Sequence, residues 1–207
     1  MTPYSYPKTR HLRTQSPGFY SNYRSYKAHL KIEFERKCVY CCQPDSIAPN
    51  ANSYGVDHYK PKSIFPQEAT NYGNLFYCCS SCNTWKGNYW PKPSDLLTRF
   101  IPNPCDHVMF DHLRFQGASV IAKSSAGEFA VERLDLNDPG TQGFRRHLNL
   151  TITLFEDRLL TAKQLFQTIT SAIEKATVTQ GTMQQDLADL TTEIAGLESG
   201  LARYLGT

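Results

Sequence analysis

Cys38-Val39-Tyr40-Cys41 and Cys79-Ser80-Ser81-Cys82-Asn83-Thr84-Trp85-Lys86-Gly87 decide how this chain is read. Two CxxC pairs flanking an insert are the layout of a four-thiolate zinc site, in which each pair forms a tight knuckle and the sulfurs converge on one ion. Cys38, Cys41, Cys79 and Cys82 are the expected ligands. Cys42 and Cys78 lie next to them, so the CxxxC pairings Cys38/Cys42 and Cys78/Cys82 stay open at this point. The insert is 37 residues long, more than a minimal zinc ribbon needs. Something besides zinc binding occupies it.

Inside the insert stand Val56-Asp57-His58-Tyr59-Lys60-Pro61-Lys62-Ser63 and then Asn74-Leu75-Phe76. With Asp57-His58, Asn74 and Asn83-x-x-Lys86 in this order, the stretch resembles the HNH (ββα-metal) nuclease family. The zinc-stapled branch of that family carries the same CxxC pairs around the same core. It also places the asparagine just after a cysteine ligand, which favours the CxxC register. The resemblance implies a structural role for Asn74, tying a loop to a strand and orienting His58. The Pro61-Lys62-Ser63 run and Asn103-Pro104 extend the likeness to HNH subunits of bacterial anti-phage systems of the Septu type, over roughly residues 30 to 140. That wider likeness implies an ABC-type ATPase as partner subunit.

Hydrolysis of a phosphodiester needs an activated water and a cation to hold the charge that builds on the leaving oxygen. His58 has a side chain of near-neutral pKa that suits a general base. Asp57 and Asn83 offer hard oxygen ligands, suited to Mg²⁺ or Mn²⁺ rather than a second zinc. Lys86 follows Asn83 by one helical turn and is expected to meet the phosphate. Lys60 and Lys62 from the insert, with Lys27 and Lys31 further upstream, are the candidate nucleic-acid contacts.

Ser53 to His58 reads as a short strand and Asn74 to Tyr77 as a second. A helix is expected from Ser80 or Ser81, both good N-caps, to a point before Pro91. Asp57 and His58 are neighbours, so on a regular strand they point to opposite faces; a bulge or a bend at the strand end would bring them together.

Outward from this core, residues 1–37 form a basic, tyrosine-rich arm with a helix expected from about Ser21 to Lys37. Eight Lys and Arg stand there against Glu33 and Glu35, interleaved with Tyr4, Tyr6, Tyr20, Tyr23 and Tyr26. Basic groups bind phosphate and aromatic rings can stack on bases. The alternative is a poorly ordered arm followed by a helix packed on the zinc core. After the core (38–91), residues 92–150 read as an extension with short strands at Leu113–Phe115, Ser119–Ala122 and Glu128–Leu136, the last two joined by a turn at Ser124-Ser125-Ala126-Gly127. Gly143-Phe144-Arg145-Arg146-His147 reads as a solvated basic face.

From about Asn149 the composition shifts to Leu, Ile, Thr and Gln. Leu159, Ala162, Phe166, Ile169, Ile173 and Ala176 recur at three-four spacing, as do Leu187, Leu190, Ile194, Leu197, Leu201 and Tyr204. Residues 151–207 therefore read as an antiparallel helical hairpin turning between Thr177 and Thr182. Its acidic balance argues against DNA contact; the two stripes are expected to pack on each other, and narrow stripes on an appended hairpin also make a docking surface for a partner subunit.

The seven cysteines, clustered in CxxC form, suit a reducing cytoplasm, and no apolar run is long enough to span a membrane. The fold expected is α+β: a ββα-metal HNH core with a four-Cys zinc site, a basic N-terminal arm and helix, a small β extension and a C-terminal helical hairpin. The function expected is metal-dependent DNA cleavage, with structural Zn²⁺ and catalytic Mg²⁺ or Mn²⁺. The competing reading is a zinc-stabilised nucleic-acid or protein adaptor without chemistry of its own.

Overall fold

In the computed structural model, which describes residues 2–174 and 180–207, the chain divides into two compact units. One comprises residues 3–146 and Gly206; the other comprises Thr2, residues 147–174 and 180–205, and Thr207.

The centre of the first unit is a ββα arrangement. Strands β1 (Tyr54–His58) and β2 (Leu75–Cys79) pair antiparallel, in register from Tyr54 opposite Cys79 to His58 opposite Leu75. Helix α2 (Ser80–Lys86) follows directly. Leu75, Phe76, Tyr77 and Cys78 on β2 are all buried, as expected of a strand covered on both faces. The helix starts where it does because Cys79 acts as N-cap, its Sγ accepting from the Cys82 amide at 3.4 Å. It stops at Gly87, whose φ of 53° lies in the left-handed region that glycine occupies without penalty.

Helix α1 (Lys27–Glu33) packs Leu30 against this centre and is preceded by a 3₁₀ turn at Tyr23–Tyr26 capped by Asn22. The helix expected to reach Lys37 ends earlier. Glu35 and Arg36 adopt left-handed φ values of 50° and 59°, and Lys37 then pairs as a β-bridge with Pro44. The preceding arm is packed along the unit. Tyr4 and Tyr6 are buried, both rings contacting Phe115, and the Tyr6 hydroxyl donates to the Tyr40 carbonyl at 2.8 Å. Arg13 lies over the rings of Phe34, Tyr72 and Phe76 and donates to the carbonyls of Leu75 (2.8 Å) and Gly73 (3.3 Å). The buried Glu33 carboxylate accepts from the Thr14 and Gln15 amides and from the Tyr72 hydroxyl, and pairs with His11. Tyr4, Tyr6 and Tyr26 are thus core residues, so the base-stacking role weighed for them does not fit.

In the extension, a four-residue helix, α3 (Met109–His112), leads into the hairpin of β3 (Leu113–Gln116) and β4 (Ser119–Ala122). The strand expected at 128–136 is instead helix α4 (Ser125–Arg133). Ser124, read as a turn residue, is its N-cap, accepting from the Gly127 amide at 3.0 Å. Gly127 is required by packing: a Cβ there would stand 2.0 Å from the His112 carbonyl oxygen.

Helix α5 (Pro139–Glu174) begins ten residues before the composition changes, with Asp138 accepting from the Thr141 amide at 2.8 Å. Its first turns belong to the first unit. There Arg145 is 1% exposed and donates to the carbonyls of Leu136 and Ala118, so the cluster expected as a solvated face contains a buried guanidinium. In the second unit the rest of α5 lies beside α6 (Gln180–Leu205), with Phe155 against Tyr204 and ion pairs Arg158–Glu193 and Lys163–Glu198 between the helices. Much of the expected turn at 177–182 lies outside the described residues; Gly181 and Thr182 fall in the first turn of α6. Among the described residues no helix is long and apolar enough to cross a membrane.

Candidate active site and metal centre

The thiols come together in the CxxC register. The ligand atoms of Cys38, Cys41, Cys79 and Cys82 all lie within 4.8 Å of one another, and the Cys41 and Cys79 sulfurs are 3.8 Å apart. A tetrahedron of Zn–S bonds about 2.3 Å long has edges of about 3.8 Å, so the donor set fits a structural zinc ion. The first knuckle closes through the Cys42 amide donating to the Cys38 carbonyl and the Cys38 amide donating to that of Gln43, with Cys42 itself at φ 58°. The second knuckle is the cap of α2. The Cys79 thiol is held below the usual thiol range by hydrogen bonds from Cys38, Cys41 and Cys82, whereas burial pushes Cys42 up to about 12 and raises Cys78 as well. These last two are buried and lie outside the four-thiol cluster.

Asp57 and His58 end β1 without a bulge, yet both line one cavity of about 250 Å³ together with Tyr23, Pro61, Lys62, Asn83, Gly87 and Asn88. Asp57 is 3% exposed. Its Oδ2 accepts from the Tyr40 hydroxyl at 2.6 Å and its Oδ1 from the Lys86 ammonium at 3.0 Å. The same ammonium donates to the His58 carbonyl at 2.6 Å. Lys86 is 1% exposed and turned inward, so the phosphate contact expected of it is replaced by a buried ion pair that ties α2 to β1. Asn83, three residues earlier on the same helix, is exposed at the cavity.

The His58 imidazole is fixed at Nε2, 2.9 Å from the Ala69 carbonyl oxygen. A carbonyl only accepts, so Nε2 carries the proton and Nδ1 keeps its lone pair. Burial lowers the pKa of the ring, and the Lys62 and Lys86 charges lower it further against the opposing pull of Ala69 and Asp57. The ring is therefore neutral near pH 7 and able to accept a proton.

Asn74 closes the loop that supplies Ala69. Its Oδ1 accepts from the Lys60 amide at 2.8 Å, and its Nδ2 donates to the carbonyls of Lys60 and Glu68 at 3.0 and 3.2 Å. Its own carbonyl accepts from the Tyr59 amide, extending the strand pairing by one rung. The Asn74 amide thus holds the backbone at Glu68, one residue before the carbonyl that meets His58.

Of the four candidate nucleic-acid lysines, Lys62 alone is among the residues lining this cavity. Lys60 borders a separate cavity of about 460 Å³ and lies 3.8 Å from Glu68. Lys31 pairs with Asp45 at 3.0 Å, and Lys27 occupies the first turn of α1. Tyr23, Tyr40 and the Ala69 carbonyl were not anticipated as parts of the site. Tyr40 lies within the first CxxC knuckle and Tyr23 in the arm, and neither sits at a spacing that marks it in the sequence.

The two carboxylate oxygens of Asp57 each receive one donor and keep lone-pair capacity for a cation, and Asn83, with its amide oxygen, lines the same cavity. Hard oxygens of this kind fit Mg²⁺ or Mn²⁺. Residues 38–89 match the family described as HNH endonuclease. A Septu protein PtuB of Bacillus thuringiensis is 26% identical over 114 residues, which make up 53% of this chain and 43% of that protein. The chain thus spans less than half the length of this curated relative. No solved structure matches. Over residues 38–89 the chain is thus similar to HNH endonucleases and, at greater distance, to the Septu protein PtuB.

Proposed function

We propose that the protein is a metal-dependent endonuclease that hydrolyses DNA phosphodiester bonds, working in the cytoplasm as the effector of a bacterial anti-phage complex with an ATPase subunit. The observation that carries this is His58, held at Nε2 by the Ala69 carbonyl and lining the same cavity as Asp57 and Asn83. In this reading His58 Nδ1 takes the proton of a water that attacks the phosphorus. Asp57 and Asn83 hold the divalent ion, which when bound supplies Lewis-acid stabilisation of charge on the leaving 3′ oxygen. Asn74 fixes the base through Ala69, Lys86 fixes the Asp57 carboxylate, and Lys62 offers positive charge to the phosphate backbone. Cys38, Cys41, Cys79 and Cys82 hold the zinc that stabilises the fold, and Lys27 and Lys31 add a salt-dependent contribution to DNA binding.

The test is cleavage of supercoiled plasmid with Mg²⁺ or Mn²⁺ by the protein purified with its partner. His58→Ala is expected to lose about 10²–10⁴-fold in rate while keeping its zinc and its melting behaviour. Full activity in that variant would refute His58 as the base.

One observation favours the adaptor reading: each Asp57 oxygen already has a donor. Under it the protein would bind DNA, show no divalent-dependent cleavage and be indifferent to His58→Ala. The nuclease reading accounts better for a neutral histidine and an exposed asparagine sharing a cavity with that carboxylate.

A further inference from the structure

An imidazole anchored at one ring nitrogen can still swivel, because the torsion at a terminal sp³–sp² bond is broad. The His58 ring has a second restraint. The Tyr23 ring meets it edge-on, with centroids 4.5 Å apart and an interplanar angle of 67°, the T-shaped geometry that aromatic pairs favour. Tyr23 in turn holds Lys62, whose ammonium lies 4.7 Å from the centre of the Tyr23 ring and donates to its hydroxyl at 3.4 Å. All three residues line the 250 Å³ cavity with Asp57 and Asn83. Tyr23 lies on the 3₁₀ turn at Tyr23–Tyr26, outside the segment 38–89 that matches the HNH family.

We infer that Tyr23 is a positioning residue of the nuclease site, its ring setting the plane of the His58 imidazole and its hydroxyl setting the Lys62 ammonium beside the substrate phosphate. The inference rests on the hydrolytic reading above. It divides Tyr23 into two separable parts: the ring acts on the chemical step and the hydroxyl on substrate binding. Misplacement of a general base by a fraction of its length is costly, because the proton transfer requires near-attack geometry.

Plasmid cleavage by the full chain, purified as for the wild type, separates the parts. Tyr23→Leu is expected to lower kcat by about 10–100-fold, with KM changed by less than about threefold. Tyr23→Phe keeps the ring, so its kcat should return to near wild type while KM rises about two- to fivefold, in the same direction as Lys62→Met. The His58 Cε1–H resonance reports the contact independently of activity: it should move in Tyr23→Leu, which loses the ring current, and stay in Tyr23→Phe. A Tyr23→Leu enzyme with wild-type kcat, or an unmoved His58 resonance, overturns the inference. So does a Tyr23→Phe enzyme as slow as Tyr23→Leu. If Tyr23→Leu fails to fold, Lys62→Met and Tyr23→Phe still decide, since unchanged KM in both refutes the part played by the hydroxyl. A wild-type protein that never cleaves, with the His58 resonance behaving as expected, overturns the hydrolytic reading and the catalytic role of Tyr23 with it, while leaving the contact intact.

Discussion

Replacing Lys86 with methionine keeps the length of the side chain and removes its charge, and the consequence can be worked from the contacts. At 3.0 Å the ammonium and the Asp57 carboxylate attract each other by about 5.5 kcal/mol, taking an effective dielectric constant of about 20. Desolvation offsets part of that in the native protein, but the variant keeps the carboxylate buried with the Tyr40 hydroxyl as its remaining donor and deprives the His58 carbonyl of its ammonium. Breaking a buried pair from one side costs about 3–5 kcal/mol. With a urea dependence of about 2 kcal/mol per molar, the unfolding midpoint should fall by about 1.5–2.5 M. Trp85 and Trp90 are the two tryptophans of the sequence and both belong to the first unit, so their fluorescence follows that unit alone. Asp57→Asn combined with Lys86→Met removes both charges and should recover much of the loss. Mg²⁺ should restabilise Lys86→Met more than the wild type, since a bound cation would replace the missing positive charge beside Asp57. A midpoint shift worth less than about 1 kcal/mol, or a double variant as unstable as the summed singles, would refute the view that this pair fixes α2 on β1.

Three further outcomes are expected. Cys38→Ser and Cys82→Ser should lose zinc and melt earlier, whereas Cys42→Ser and Cys78→Ser should keep full zinc; metal analysis of the purified variants decides. For Glu33, burial alone would raise the carboxyl pKa, but donation from Thr14, Gln15, His11 and Tyr72 brings it below the free value. Because the folded pKa is the lower one, its contribution is complete above the unfolded value of about 4.3 and is lost as pH falls through the folded value, so the urea midpoint should drop below about pH 4 and less steeply in Glu33→Gln. An unchanged slope would exclude this carboxylate as a source of acid sensitivity. Deleting residues 155–207 should leave a zinc-loaded core that folds but no longer co-purifies with the partner subunit, while aggregation of the core would show that the hairpin helices are needed for folding.

The parts legible in the sequence were those with local signals. Cysteine spacing marked the metal centre and three-four periodicity marked α5 and α6, whereas the cap of α2 is Cys79 and not the Ser80 or Ser81 that the sequence suggested. Local signals also misled. Ser124 to Gly127 carries turn residues, yet Ser124 caps a helix and Gly127 is there to let that helix approach the His112 carbonyl. The inward turn of Lys86 was illegible because charge normally faces water, and its partners lie 28 and 29 residues away. Tyr23 and Tyr40 reach the site through tertiary contacts that no periodicity encodes.

The arm has a consequence for anyone treating the HNH segment as a portable cassette. Arg13 lies over Phe34, Tyr72 and Phe76 and donates to two carbonyls at the start of β2, and Tyr6 holds the carbonyl of Tyr40, the residue whose hydroxyl supports Asp57. Cutting at residues 38 and 89 would therefore keep Tyr40 but remove the Tyr6 contact that holds it, together with the Arg13 cover over β2. A graft of this module into another scaffold has to carry residues 3–37 with it, so the smallest transferable unit is set by the tertiary contacts of the arm and exceeds the extent of the motif.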